Sequence, residues 1–431
     1  MSSSITSEAV ELKVSEMAEN LIGSEIIKLA GEVREKIAQG HRIYNFTIGD
    51  FDSNIFPIPS GLREGILRAY QQNETNYPPA DGILPLRKAV SAYINREQGL
   101  AFGDSEILIA GGARPLIYAI YQALVNPGES VLFPVPSWNN NHYTHLGHAK
   151  PILIEAHAEH NFMPTAQDMK EHLPHAALVA LCSPLNPTGT VFTKEQLLEI
   201  CECVRDENNR RGPDQKPLYI MYDQIYSALT YNGVEHVDPV TLMPELRNVT
   251  IYVDGISKSL AATGVRVGWS FGPRHVIDRM KSILGHIGAW APKAEQVAAA
   301  EFMNDTAAMN AFLHHFKHEV YQRLVTFYNG MQDLQSEGYP LVAVAPQAAI
   351  YMTLQFNLKG YMTEEGKTLH STSDITQFLL DKAGLAIVPF SAFGASSEST
   401  WYRLSVGTTT MEDVRESVAA LRNALKSLRK P

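Results

Sequence analysis

Three short apolar runs, at residues 177–182, 218–221 and 250–253, constrain this chain more than any other feature of it. Each is too short for a globular helix, rich in branched or aromatic residues, and bounded by turn formers, so each reads as a buried strand. All three strands give way to polar residues. The first runs into SPLNPTG, which carries Asn186; the second ends on Asp223; the third leads to Lys258. A charged group at the end of a core strand is costly unless it is paired or in use. Desolvation lowers a lysine's proton affinity, and a neutral buried amine is a ready Schiff-base nucleophile. The competing reading of Lys258 is a side chain that snorkels to solvent. Asp223 needs a partner or caps a helix, and Tyr226, three residues on, is either a half-buried aromatic or part of the same site.

Composition narrows the class. The 431 residues suffice for two domains with sizeable cores. A formal net charge of −10 argues against general nucleic-acid or anionic-membrane binding. Three cysteines, Cys182, Cys201 and Cys203, form no framework and have no second pair at zinc spacing, so neither disulfides nor a metal site is expected. The first residues lack a basic n-region with an apolar h-region, and no apolar run is long enough to cross a bilayer, which points to the cytoplasm.

The rest of the chain alternates strands and helices. Residues from about Glu11 to Gln39 have helical spacing and stop at Gly40. Gly49 and Asp50 form a turn after a short strand. Residues 107–133 read strand, glycine turn, helix, strand, one βαβ unit. The turn Gly111-Gly112-Ala113-Arg114 leads into a helix whose first N–H groups are free to hold an anion. Trp138 lies on the loop after the next strand, and Thr193 with Gln196 makes a capping box for a helix opening at Lys194. Residues 293–336 keep an apolar periodicity that suggests one long connecting helix, kinked if anywhere. Short strands then alternate with helices, and one strand carries Arg403, which in most proteins would pair with a carboxylate of the same chain.

Four motifs, taken together and in order, resemble the class I/II aminotransferases, the fold-type-I enzymes that use pyridoxal 5′-phosphate (PLP). They are SKSLAATGVRVGW, with Arg266 eight residues after Lys258, the NPTG around Asn186, the D-x-x-Y of Asp223 and Tyr226, and the Y-x-x-x-x-G-x-x-x-L-R of Tyr77, Gly82, Leu86 and Arg87. The likeness spans about residues 20–425. It implies an α/β fold: a large PLP-binding domain, 46–310, with a mostly parallel seven-stranded sheet flanked by helices, and a smaller α+β domain formed by 1–45 and 311–431.

The resemblance also implies roles. Lys258 is the Schiff-base lysine and proton shuttle, Asp223 the partner of the ring nitrogen, and Tyr226 and Asn186 the partners of the phenolic oxygen. Trp138 stacks on the ring. Ser257, Arg266 and the backbone of Ala113 and Arg114 hold the phosphate, with Tyr77 arriving from the other subunit of a homodimer with shared sites. Gly49, Asn186 and Arg403 bind the substrate carboxylate. His286, Trp290 and Lys293 are candidates for reading the substrate side chain. One departure stands out: where many relatives carry a phosphate-binding serine three residues before the lysine, this chain has Gly255. The activity implied is transfer of an amino group between an L-amino acid and a 2-oxo acid, of aspartate/glutamate type or broad. The alternatives are a β-lyase sharing the same cofactor lysine and a PLP-sensing protein without catalysis.

Overall fold

The structure is a computed structural model that describes residues 13–21 and 25–430. The first short strand, β1 (Tyr44–Asn45), precedes a seven-stranded sheet made of β2 (Ile107–Ala110), β3 (Ser130–Val135), β4 (Lys150–Glu155), β5 (Ala176–Cys182), β6 (Tyr219–Asp223), β7 (Thr250–Gly255) and β8 (Gly268–Phe271). Their order is β2-β8-β7-β6-β5-β3-β4. All neighbours run parallel except β8, which is antiparallel to both β2 and β7. The three apolar runs are β5, β6 and β7 at the centre, covered on both faces, which is why they read as unbroken hydrophobic stretches.

One face is packed by the helices Ala113–Leu124 and Arg274–Ile287, the other by Leu84–Gln98, Lys194–Arg211 and Lys293–Asn304. The helix Ala113–Leu124 shows the logic: Leu116, Ile117, Ile120 and Leu124 fall on one stripe and are all buried. Each such side chain contributes about 1.5–3 kcal/mol when fully removed from water. The capping box at Thr193 forms as the sequence predicts, Thr193 Oγ1 accepting from the Gln196 amide at 3.2 Å.

A second, antiparallel sheet has the order β12-β13-β10-β9, from β9 (Leu341–Ala343), β10 (Tyr351–Phe356), β12 (Val388–Pro389) and β13 (Trp401–Ser405). The helices Thr372–Ala383 and Met411–Lys426 share an apolar core with it. Between them β11 (Leu385–Ala386) pairs in parallel with β1, which ties residues 44–45 to the C-terminal part of the chain.

Residues 107–133 give strand, helix and strand as expected, with β8, β7, β6 and β5 lying between β2 and β3 in the sheet. Two expectations need correction. The run 293–336 is two helices, Lys293–Asn304 and Thr306–Ser336, because Asp305 leaves the helical conformation (φ −82°, ψ 77°) and caps the second through the Ala308 amide. Towards the N-terminus the described helices are Glu16–Glu19 and Glu25–Ala38 rather than one continuous helix; Glu11 and residues 22–24 lie outside the described residues. Among the described residues no helix is long and apolar enough to cross a membrane.

Candidate active site

The C-terminal ends of β5, β6 and β7 open into one cavity of about 520 Å³. It is lined by Gly49, Ala113, Arg114, Trp138, Asn186, Asp223, Tyr226, Ser257, Lys258, Arg266 and Arg403. Eleven of the twelve residues expected from sequence to hold the cofactor or the substrate carboxylate therefore meet in one place. The twelfth, Tyr77, does not line the cavity; it is 81% exposed and packs edge-on against Trp290, ring centroids 5.1 Å apart.

Lys258 sits on the single helical turn Ile256–Ser259 that follows β7. Its Nζ donates to the carbonyl oxygen of Gly49 at 2.6 Å. Burial pulls its pKa down to about 8, opposed by the carboxylate of Asp50 and reinforced by the guanidinium groups of Arg403, Arg114 and Arg266. The side chain turns into the cavity rather than snorkelling outward, and it forms no ion pair among the described residues. Asp223 ends β6, and the only hydrogen bond to its carboxylate among the described residues is from the amide of Ile225, at 3.1 Å. Desolvation raises its pKa to about 6, since no cation among the described residues pairs with it.

Arg403 faces these two groups from β13. Alternation along the strand sends its neighbours Tyr402 and Leu404 into the apolar core and Arg403 to the cavity. It is 1% exposed, with Nη1 donating to Asn186 Oδ1 at 3.0 Å and Nη2 to the Thr47 carbonyl at 2.6 Å. Tyr351, Phe393 and Trp138 surround it at 4.7, 4.8 and 5.9 Å from ring centroids. Among the described residues Nε has no partner and no carboxylate pairs with the group. Burial without a counter-ion holds its pKa below the usual arginine value. A desolvated guanidinium without an anion is a site for an incoming carboxylate.

In the same cavity Arg266 donates to the carbonyls of Thr263 and Gly111 at 2.8 and 2.6 Å, beside the start of the helix Ala113–Leu124. The Arg114 guanidinium lies over the Trp138 ring at 5.7 Å. Gly255 has a steric reason. A Cβ there would lie 2.9 Å from both the Cα of Gly268 and the carbonyl oxygen of Val267, so the close approach of β7 and β8 leaves no room for a serine. Gly255→Ser is therefore expected to lower stability by about 1–3 kcal/mol, read from urea unfolding followed by circular dichroism. An unchanged midpoint would remove steric exclusion as the reason for glycine.

Sequence reasoning missed several lining residues, among them Asp50, Asn140, Tyr143, Thr263 and Tyr351. Asp50 accepts from Thr263 Oγ1 at 2.6 Å, and the turn it shares with Gly49 was a local signal. Tyr351 gives none, because its strand reads as plain core. His286, Trp290 and Lys293 stay outside the cavity lining, and Lys293 is held by Glu74 at 2.7 Å and Asn76 at 2.6 Å.

The sequence profile of the family described as aminotransferase class I and II matches residues 42–421. The chain belongs to that family. This aminotransferase is 29% identical over 402 residues to the aspartate aminotransferase of Rhizobium meliloti (strain 1021), covering 92% of this chain and 93% of that one. It is 29% identical over 395 residues to a probable aspartate/prephenate aminotransferase of Rhizobium leguminosarum bv. phaseoli, covering 90% and 92%. Among solved structures, the aspartate aminotransferase of Rhizobium meliloti superposes with a TM-score of 0.89 at 27% identity, covering 97% of this chain and 100% of that one. That of Thermus thermophilus, solved with maleate, gives 0.84 at 25% identity, covering 96% of this chain and 100% of that one.

The aminotransferase is thus a fold-type-I enzyme whose cofactor is PLP. The residues present suit that group. Asp223 is a desolvated carboxyl in need of an N–H donor, Lys258 an amine with a lowered pKa, and Trp138 an aromatic face on the same cavity. Arg266 and a helix start supply the cationic end that a phosphate requires.

Proposed function

We propose that this aminotransferase exchanges the amino group of a dicarboxylic L-amino acid of the aspartate/glutamate type with a 2-oxo acid. The observation that carries the reading is Arg403: a buried guanidinium with an unused Nε and no acid beside it among the described residues, across one cavity from Lys258. The dicarboxylate preference is supported by the names of the relatives and by the maleate with which the Thermus enzyme was solved. The lyase alternative receives no support from those names.

Bound PLP supplies an electron sink for the pair of electrons left when the substrate's Cα–H bond breaks. The protein's part is holding and proton movement. Asp223 would accept the ring N–H, and that interaction would draw the acid down from a pKa near 6 to the ionised state. Tyr226 and the amide of Asn186 would donate to the phenolic oxygen, while Ser257, Arg266 and the amides of Ala113 and Arg114 would take the phosphate. Trp138 would cover the ring. Arg403 would grip the substrate α-carboxylate, helped by the close approach that Gly49 allows, and orient the Cα–H bond towards Lys258. The Lys258 amine would take that proton and return it to the cofactor as a general base and acid.

The same reading includes a homodimer in which the exposed Tyr77 serves the neighbouring subunit, supported by its 81% exposure and its absence from the cavity lining of its own subunit. It includes a division into 46–310 and 1–45 plus 311–431, supported by the separate sheets and the β1–β11 pairing. It includes residence in the cytoplasm, with which three free cysteines agree. The test is a single-turnover experiment. PLP-loaded enzyme mixed with L-aspartate alone should lose its visible band and release one equivalent of the matching 2-oxo acid, and added 2-oxoglutarate should restore the band. A response to neutral amino acids but to no dicarboxylic one would refute the specificity.

A further inference from the structure

Tyr351 lies on β10, buried to 1% exposure, with its hydroxyl 2.6 Å from that of Tyr226 and their rings edge-to-face at 5.5 Å. The two hydroxyls come from different layers, Tyr226 from just after β6 and Tyr351 from the four-stranded sheet. The Tyr351 ring also lies 4.7 Å from the Arg403 guanidinium carbon. Gly49 makes room for the arrangement, since a Cβ there would come within 2.7 Å of the Tyr351 oxygen. Among the described residues no other hydrogen bond reaches either hydroxyl.

Each hydroxyl carries one proton and can accept as well as donate. Only one of the pair's two protons lies between the oxygens, so the other is free to point into the cavity that both residues line. We propose that Tyr351 is a positioning residue for the cofactor: it donates to Tyr226, so that the Tyr226 proton is presented to the phenolic oxygen of PLP. A hydroxyl that accepts a hydrogen bond is a stronger donor in turn. The phenolate form of the bound cofactor is thereby favoured by a residue that does not touch it. The proposal rests on the assignment of Tyr226 to that oxygen made above. The charged and titratable groups facing the pair are Arg403, which favours ionisation of both phenols, Asp50 and Cys182, which oppose it, and Lys258, whose Nζ lies 5.8 Å from the Tyr226 ring.

The test is the visible absorption of PLP-loaded enzyme followed against pH. In Tyr351→Phe the ring stays and the donor is lost, so the titration midpoint should rise by about 0.5–1 pH unit, the effect of one neutral hydrogen bond. The kcat should fall roughly threefold to tenfold, with the amino-acid KM changed less than about twofold. Gly49→Ala, whose methyl displaces the same hydroxyl, should move the midpoint in the same direction. Tyr226→Phe should raise it further, and adding Tyr351→Phe to that variant should do nothing more. Single variants that leave the midpoint in place, or a double variant whose shifts add, overturn the proposal. Wild-type enzyme that takes up no PLP would instead overturn the functional reading beneath it.

Discussion

Lys258→Ala is expected to lower turnover by about 10⁴-fold or more, because the proposed mechanism uses one amine as both nucleophile and proton carrier. The variant should fold normally, since among the described residues the Lys258 side chain contributes a single hydrogen bond, to the Gly49 carbonyl. After gel filtration it should keep none of the visible band of the wild-type enzyme, because the covalent link to PLP is gone. The lowered pKa of the lysine adds a pH dependence with a definite sign. Below about pH 8 the amine of the cofactor-free protein is mostly protonated and cannot attack, so PLP capture should slow about tenfold per pH unit. Above pH 8 it should level off. A variant that stayed coloured and active would take Lys258 out of the chemistry.

Arg403→Lys should be the next most damaging change, although it keeps the positive charge. An ammonium cannot hold the Asn186 side chain and the Thr47 carbonyl while presenting a flat fork to a carboxylate. Loss of one partner from a buried charge-assisted pair costs roughly 2–5 kcal/mol, so kcat/KM should fall about 30- to 5,000-fold, with KM carrying most of it. The stability of the cofactor-free protein in urea should fall, by about 1–3 kcal/mol, because the ammonium is still buried without a counter-ion and keeps fewer of the hydrogen bonds to Asn186 and Thr47. Steady-state kinetics with L-aspartate checks the first part. A kcat/KM within a few-fold of wild type would show that the carboxylate binds elsewhere.

The cavity lining was more legible than the strand order. Asn186, Asp223 and Lys258 stand at the ends of apolar runs, and local pattern locates such residues because burying them without a use is costly. Arg403 was different: periodicity placed it on a strand, and only the resemblance gave it a ligand. Tyr351 was invisible, since an aromatic on a buried strand carries the same signal whether its hydroxyl meets solvent, backbone or another tyrosine. Strand order was hidden for a related reason. The pairing of β2 with β8 joins Ile107 to Phe271, a partnership that no window along the sequence can hold. The break at Asp305 shows the limit of periodicity, because apolar spacing continues across a residue that caps rather than extends a helix.

Arg403 reaches back 356 positions to the carbonyl of Thr47 and 217 to Asn186. A nascent chain could therefore complete its central strands, with Asp223 and Lys258 in place, before the guanidinium assigned to the substrate carboxylate has been made. On the proposed reading, a product truncated ahead of Arg403 would keep the lysine for vitamin B6 aldehyde and lack the grip on an amino acid.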